Sequence, residues 1–293
     1  MATTAFAVAA SHAPGLIGMF DQAPAESQRV VSSAYGSIAK HIREADLDVI
    51  IMVANDHMAN NRIREYPDFL IGMAPEHRGP AEFFKDWLGC GEYVVPGRPD
   101  IAETIFNGLN RRGIRVSATR ENLNFDDNIS VPVVKTEIEA SGVPIIPILQ
   151  NVTVPPIPDQ HRCYEIGQQL ADVIENDLPD GLRVGLFATG GMSHEPGGIR
   201  DFWIDEDFDK WFLGLLADGN HDKVLSEVTP ERLAQAGIGG TEELLSWILV
   251  MGAIGERFCE VLGYTAWDQW RCGIGAVDWD MTSEPTGHHE EQS

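Results

Sequence analysis

Three short apolar, β-rich runs in this chain each lead within five residues to a histidine. Phe6 to Ala10 is followed by Ser11-His12, Val49 to Ala54 by Asn55-Asp56-His57, and Val184 to Thr189 by Gly190-Gly191-Met192-Ser193-His194. Such runs read as buried strands of one sheet, and in an open α/β sheet ligands bind in the crevice beyond the strand C-termini. The pattern therefore predicts an α/β fold in which three imidazoles converge on one pocket. Neutral imidazole ligates transition metals, and a third imidazole nearby can move protons near neutral pH, so the arrangement points to metal-assisted enzyme chemistry. His41, His77, His161 and His221 lack the strand-end context and form a background set.

The rest of the chain supplies the helices that such a sheet needs. Residues from about 25 to 45 carry helical character, as do Ala81 to Leu88 and Ile101 to Arg112. Tyr66 to Met73, Ile114 to Val116 and Pro144 to Leu149 read as further strands, with a loop at Pro75 to Pro80. The alternation predicts one domain over residues 1–281, with a central mainly parallel or mixed sheet flanked by helices and the metal site beyond the strand C-terminal ends. Residues 282–293, including His288 and His289, read as a polar, disordered tail.

Two later segments bear on the site. Asp205 is placed to cap a helix whose apolar face is Phe208, Trp211, Phe212, Leu215 and Leu216, and the acids Glu206, Asp207 and Asp209 in its first turn read as compensation of the helix dipole. Gly239-Gly240-Thr241 opens a last long helix, apolar on most sides from Leu244 to Ile254 and so expected to be buried. Two histidines with one carboxylate, leaving a face open, suit a non-haem Fe(II) oxygenase, and Glu242 and Glu243 stand at the start of this helix. First-turn dipole compensation explains the same two acids, and composition alone does not choose between the readings.

Charge and cysteine usage narrow the function classes. A net charge of −24 repels phosphate backbones and anionic lipid, which argues against nucleic-acid and membrane roles and leaves any substrate carboxylate to local Arg or Lys. Cys90, Cys163, Cys259 and Cys272 are widely spaced and read as free thiols. No apolar run approaches the roughly 20 residues of a membrane span, and the N-terminus lacks a basic leader, which predicts a cytoplasmic protein.

Four segments together resemble a known family. Ser11-His12 with Pro14, Asn55-Asp56-His57, Gly190 to His194, and Glu243-Leu244-Leu245-Ser246-Trp247 look like the signatures of class III extradiol ring-cleaving dioxygenases, nearest to the catalytic β subunit type that acts on protocatechuate at the 4,5 bond. They occur in the same order from the first strand to the last long helix. The resemblance implies that His12, His57 and Glu243 bind Fe(II), with Glu243 taken over Glu242 because it directly precedes the Leu-x-x-Trp segment. It implies that His194 is the acid/base residue, and it makes Asn55, Asp56 and Ser193 candidates for supporting the ligands. It also implies a small α subunit, or a second copy of the chain, covering the mouth of the site.

One position departs from the family pattern. Where an Asp-His pair usually precedes a short stretch ending in Pro, this chain has Asp126-Asp127-Asn128-Ile129-Ser130-Val131-Pro132, so Asp127 stands where a histidine near substrate and oxygen is expected. An ionised Asp there would repel a catecholate, which predicts either a raised pKa for Asp127 or a substrate with a donor group, such as an amino or additional hydroxyl substituent. The reading is an extradiol dioxygenase acting on a catechol-like ring, with Asp127 altering the preference among protocatechuate, gallate and amino-substituted substrates. A zinc hydrolase using the same ligand set, and a non-catalytic subunit that keeps the fold for assembly, are the rival readings.

Overall fold

The structure is a computed structural model that describes residues 1–61 and 66–283. Most of the expected tail, residues 284–293 with His288 and His289, lies outside the described residues. Eight strands form one mixed sheet: β1 (Thr3–Ala10), β2 (Val49–Asn55), β3 (Phe69–Gly72), β6 (Ser117–Thr119), β7 (Ile145–Gln150), β8 (Arg183–Thr189), β9 (Cys259–Trp267) and β10 (Cys272–Trp279). Their order across the sheet is β6-β3-β7-β2-β8-β1-β10-β9, and β4 (Glu76–Gly79) pairs with β5 (Tyr93–Pro96) in a small separate ribbon.

The four central strands β7, β2, β8 and β1 run parallel, while β3 joins β7, and β10 joins β1, antiparallel. Every residue of β2 is buried, as expected for a strand covered on both faces. The alternation of side chains divides the core in two. Ala7, Ala9, Val49, Ile51 and Val53 face one layer of helices, whereas Phe6, Val8, Ala10, Ile50 and Met52 face the other.

The longer helices are α1 (Ala25–Glu44), α2 (Pro99–Arg111), α3 (Asp127–Lys135), α4 (Gln160–Asp177), α5 (Glu206–Ala217) and α6 (Leu245–Ile254). Helix α1 packs its Val31, Tyr35, Ile38 and Ile42 face into the second core, together with Ile129, Val131 and Val133 of α3. Helix α6 is buried at every position, in agreement with its uniformly apolar sequence. It crosses α4 closely, because a Cβ on Gly167 would fall 2.0 Å from the Leu249 carbonyl oxygen and one on Gly252 would fall 2.3 Å from that of Tyr164. Among the described residues no helix is long and apolar enough to cross a membrane.

Several local expectations are corrected. The loop expected at Pro75 to Pro80 contains β4, and the helix expected over Ala81 to Leu88 is a 3-10 turn at Glu82–Phe84 followed by one helical turn at Lys85–Leu88. The strand expected at Ile114 to Val116 forms three residues later, at Ser117–Thr119. The β9–β10 hairpin carries no strong local signal in the sequence. It is held as a pair closing the edge of the sheet beside β1.

Candidate active site

Because β2, β8 and β1 are adjacent and parallel, their C-terminal ends lie abreast: Ala10 pairs with Thr189, and Ala188 with Val53. The three histidines that follow these strands are thereby delivered to one edge of the sheet. The turn that leads into α6 adds a carboxylate. Residues Thr241–Leu244 form a 3-10 turn, and the loop Gly190-Gly191 allows it to approach, since a Cβ on Gly190 would fall 2.6 Å from the Glu243 carbonyl oxygen.

The two glutamates of that turn separate. Glu242 folds back on its own loop, accepting the Gly239 amide at 2.9 Å. Glu243 reaches the histidines: Oε2 lies 3.1 Å from His12 Nε2 and accepts the Gly191 amide at 2.6 Å, while Oε1 lies 3.1 Å from His57 Nε2 and 3.4 Å from His194 Nε2. One ligand atom from each of His12, His57 and Glu243 falls within 4.8 Å of the others. The structure thus brings together the residues singled out by the resemblance, at the end of the sheet where they were expected.

The second nitrogen of each ring is held from behind. His12 Nδ1 meets the Thr189 hydroxyl at 2.8 Å, His194 Nδ1 meets the Met192 carbonyl oxygen at 2.8 Å, and His57 Nδ1 faces Asp126 Oδ2 at 3.3 Å and Asp127 Oδ1 at 3.5 Å. A carbonyl oxygen only accepts, so His194 Nδ1 donates to it, which leaves Nε2, on the Glu243 side, as the nitrogen that gains and loses a proton. Glycines make room for this ring: a Cβ on Gly240 would fall 2.6 Å from His194 Nε2, and one on Gly191 2.7 Å from Cε1. The same point above Gly191 lies 2.6 Å from the thiol sulfur of Cys272, which therefore packs beside His194.

The donors fit a divalent transition metal. His12 Nε2 is buried and among the described residues makes no hydrogen bond despite its closeness to Glu243, as expected of a donor atom aimed at a shared centre. Negative charge also dominates the site, with Glu243, Asp126 and Asp127 all buried. Burial pushes His57 down, but Asp126, Asp127 and Glu243 outweigh it and hold the imidazole well above its ordinary pKa. Burial likewise opposes charge on His194, yet Cys272 and Glu243 raise it. Burial raises Glu243, but the neighbouring His12 and His194 rings outweigh it and take the carboxyl well below the usual carboxylate range. The His57 side chain is 29% exposed against 1% for His12, so the site opens to solvent on the His57 side.

Asp127 is the position where expectation and structure differ. It opens helix α3 against the back of His57. Burial raises its carboxyl, but the hydrogen bond and charge of His57 outweigh it and hold it below the ordinary value, so of the two expectations, a raised pKa or a substrate with a donor group, the first is not met. The supporting candidates also divide. Asn55 and Ser193 are buried at the strand ends, Asn55 donating to the Thr189 carbonyl at 3.5 Å, whereas Asp56 organises its own loop by accepting from Asn60, Asn61 and Tyr66.

Asp209 corrects the reading of the acidic cluster. Asp205 caps α5 by accepting the Phe208 amide, but Asp209 is fully buried, accepts the Ser193 amide at 2.8 Å and hydroxyl at 3.0 Å, and is pushed up to about 6 by burial. It secures the residue next to His194. Sequence reasoning missed Asp209, Thr189 and Cys272 as parts of the site. Only for Thr189 is there a local signal, its place at the last position of a strand.

Comparisons with known proteins show the family of the chain. A family model described as "Catalytic LigB subunit of aromatic ring-opening dioxygenase" matches residues 6–270. A gallate dioxygenase of Pseudomonas putida is 38% identical over 119 residues, covering 40% of this chain and 33% of that protein. The chain therefore matches about a third of the length of that relative. A 2,3-dihydroxyphenylpropionate/2,3-dihydroxicinnamic acid 1,2-dioxygenase of Photorhabdus laumondii is 27% identical over 231 residues, covering 78% of this chain and 68% of that protein. One of the same name from Klebsiella pneumoniae is 26% identical over 317 aligned positions, covering 91% and 96%.

Proposed function

Because the chain belongs to the family of catalytic LigB subunits of aromatic ring-opening dioxygenases, we propose that it is a non-haem Fe(II)-dependent extradiol dioxygenase that opens a catechol-like ring with both atoms of O2. The observation that carries the reading is the convergence of His12, His57 and Glu243 with a further imidazole, that of His194, left outside the set. Fe(II) held by these three residues supplies Lewis acidity toward the ring hydroxyls and open positions for substrate and O2.

The chain's own residues do the rest. Thr189 and the Asp126–Asp127 pair hold the rings of His12 and His57, and the Gly191 amide holds Glu243. His194, pinned through Nδ1, takes a proton from a substrate hydroxyl at Nε2 and later returns one to an oxygen of the opened product. Burial of Glu243 and His12 keeps water from competing for the ligand atoms.

The relatives are named for gallate and 2,3-dihydroxyphenylpropionate, which share neighbouring ring hydroxyls and a carboxylate. A ring of that class, with protocatechuate, gallate and amino-substituted analogues as the first to try, is the proposed substrate. A small partner subunit or a second copy of this chain is the proposed cover of the mouth. Ile199, Phe202, Trp203 and Ile238 leave apolar side chains exposed on two loops that Glu195 joins, a surface that such a partner would cover.

The test is oxygen uptake by protein reconstituted anaerobically with Fe(II) and offered a panel of catechols, gallates and aminophenols. One O2 consumed per ring opened is the expected result. No uptake on any member, or O2-independent hydrolysis with zinc, would refute the reading.

A further inference from the structure

His57 faces two ways. Its Nε2 lies 3.1 Å from Glu243 Oε1 on the metal side, and its Nδ1 lies between two buried carboxylates, 3.3 Å from Asp126 Oδ2 and 3.5 Å from Asp127 Oδ1. One acceptor is enough to orient an imidazole N–H, so the second carboxylate needs a reason. Both belong to the start of helix α3. Asp126 uses its other oxygen, Oδ1, to cap that helix by accepting the Asn128 amide at 2.9 Å. Asn128 in turn donates through Nδ2 to the Asn55 carbonyl at 2.7 Å, which ties the helix to the end of the strand that carries His57. Asp126 is thus set against His57 by backbone-anchored contacts, and Asp127 follows it as the first residue of the helix.

We propose that Asp126 and Asp127 are a positioning pair for His57: together they accept its Nδ1–H, aim Nε2 at the metal, and place two negative charges behind one ligand so that the cation is held more tightly. The proposal rests on the reading of His12, His57 and Glu243 as the metal set. On this basis Asp127 acts through His57 and not on the substrate, although it occupies a position where the family pattern has a histidine. A carboxylate behind a ligating imidazole raises its basicity.

Co(II) is the probe, because its visible absorption reports the ligand field as well as occupancy. Titration of metal-free protein with Co(II) against a competing chelator should show Asp127→Asn binding at least about 10-fold more weakly than wild type, with a shifted absorption band. Asp127→Glu, which keeps the charge, should recover affinity to within about threefold, well inside the 10-fold or greater loss that removing such a partner brings. With Fe(II) saturating, KM for the substrate should stay unchanged in Asp127→Asn. Thermal unfolding of the metal-free proteins controls for folding, and Asp127→Ser serves as the charge-free variant if the amide does not fold. Wild-type Co(II) affinity in the charge-free variant, or a changed KM with unchanged Co(II) affinity, would overturn the proposal. Glu243→Gln separates the two levels: if it too binds Co(II) like wild type, the metal set itself is wrong.

Discussion

His77 offers a sharp quantitative test of how this chain is packed. It lies on β4, is fully buried, and among the described residues neither of its ring nitrogens has a hydrogen-bond partner. Its ring packs near Phe125, the residue before Asp126, with centroids 5.7 Å apart. Burial without a partner lowers its pKa from 6.5 to about 4. The sign follows from proton binding: below pH 6.5 the unfolded chain takes up a proton that the folded chain refuses until about pH 4, so stability falls as pH falls through that window. At about 1.4 kcal/mol per unit, the loss attributable to His77 is roughly 2 kcal/mol by pH 5 and approaches 3 kcal/mol at pH 4. His77→Leu removes the titrating group while keeping an apolar side chain in the space. Urea unfolding followed by tryptophan fluorescence from pH 7.5 to pH 5 should give curves of stability against pH that diverge, the variant losing about 2 kcal/mol less than wild type, since all other titrations cancel in the difference. Parallel curves would refute the reasoning and mean that the His77 ring is hydrated or paired in solution.

The remaining predictions concern the site. His12→Ala, His57→Ala and Glu243→Ala should each purify with sharply reduced iron but remain folded, whereas Glu242→Ala keeps its metal; iron retained in Glu243→Ala and lost in Glu242→Ala would reverse the carboxylate assignment. His194→Phe should keep iron and lose on the order of 100-fold or more in turnover, the scale of general acid–base catalysis, and near-normal turnover would return His194 to a packing role. Gly240→Ala places a methyl group 2.6 Å from His194 Nε2 and should reproduce the turnover defect with the metal still bound. Light scattering on the isolated protein and co-purification from its host test the cover over the mouth, and a fully active monomer would exclude it.

What was legible in the sequence is local. Continuous apolar runs mark strands buried on both faces whatever the order of those strands, so β1, β2 and β8 and the histidines after them were readable, as were the uniformly apolar α6 and the Asp205 cap. Composition left Glu242 and Glu243 equivalent and the family resemblance singled out Glu243; the tertiary structure supplies the physical reason, because their directions depend on how a 3-10 turn meets the Gly190-Gly191 loop from another part of the chain. Asp209 reads locally as one more acid in a first turn, and its burial against Ser193 follows from the docking of α5 on β10 and the loop after β8. Cys272 reaches His194 only because β10 pairs with β1 across more than 260 residues of sequence. For Asp127 the sequence supplied a carboxylate at an unexpected position, while the packing of α3 behind β2 decided that it faces His57. Periodicity and capping depend on neighbours a few residues away, whereas which atom of a side chain faces which partner depends on sheet order and register, and those are set by contacts that no local pattern contains.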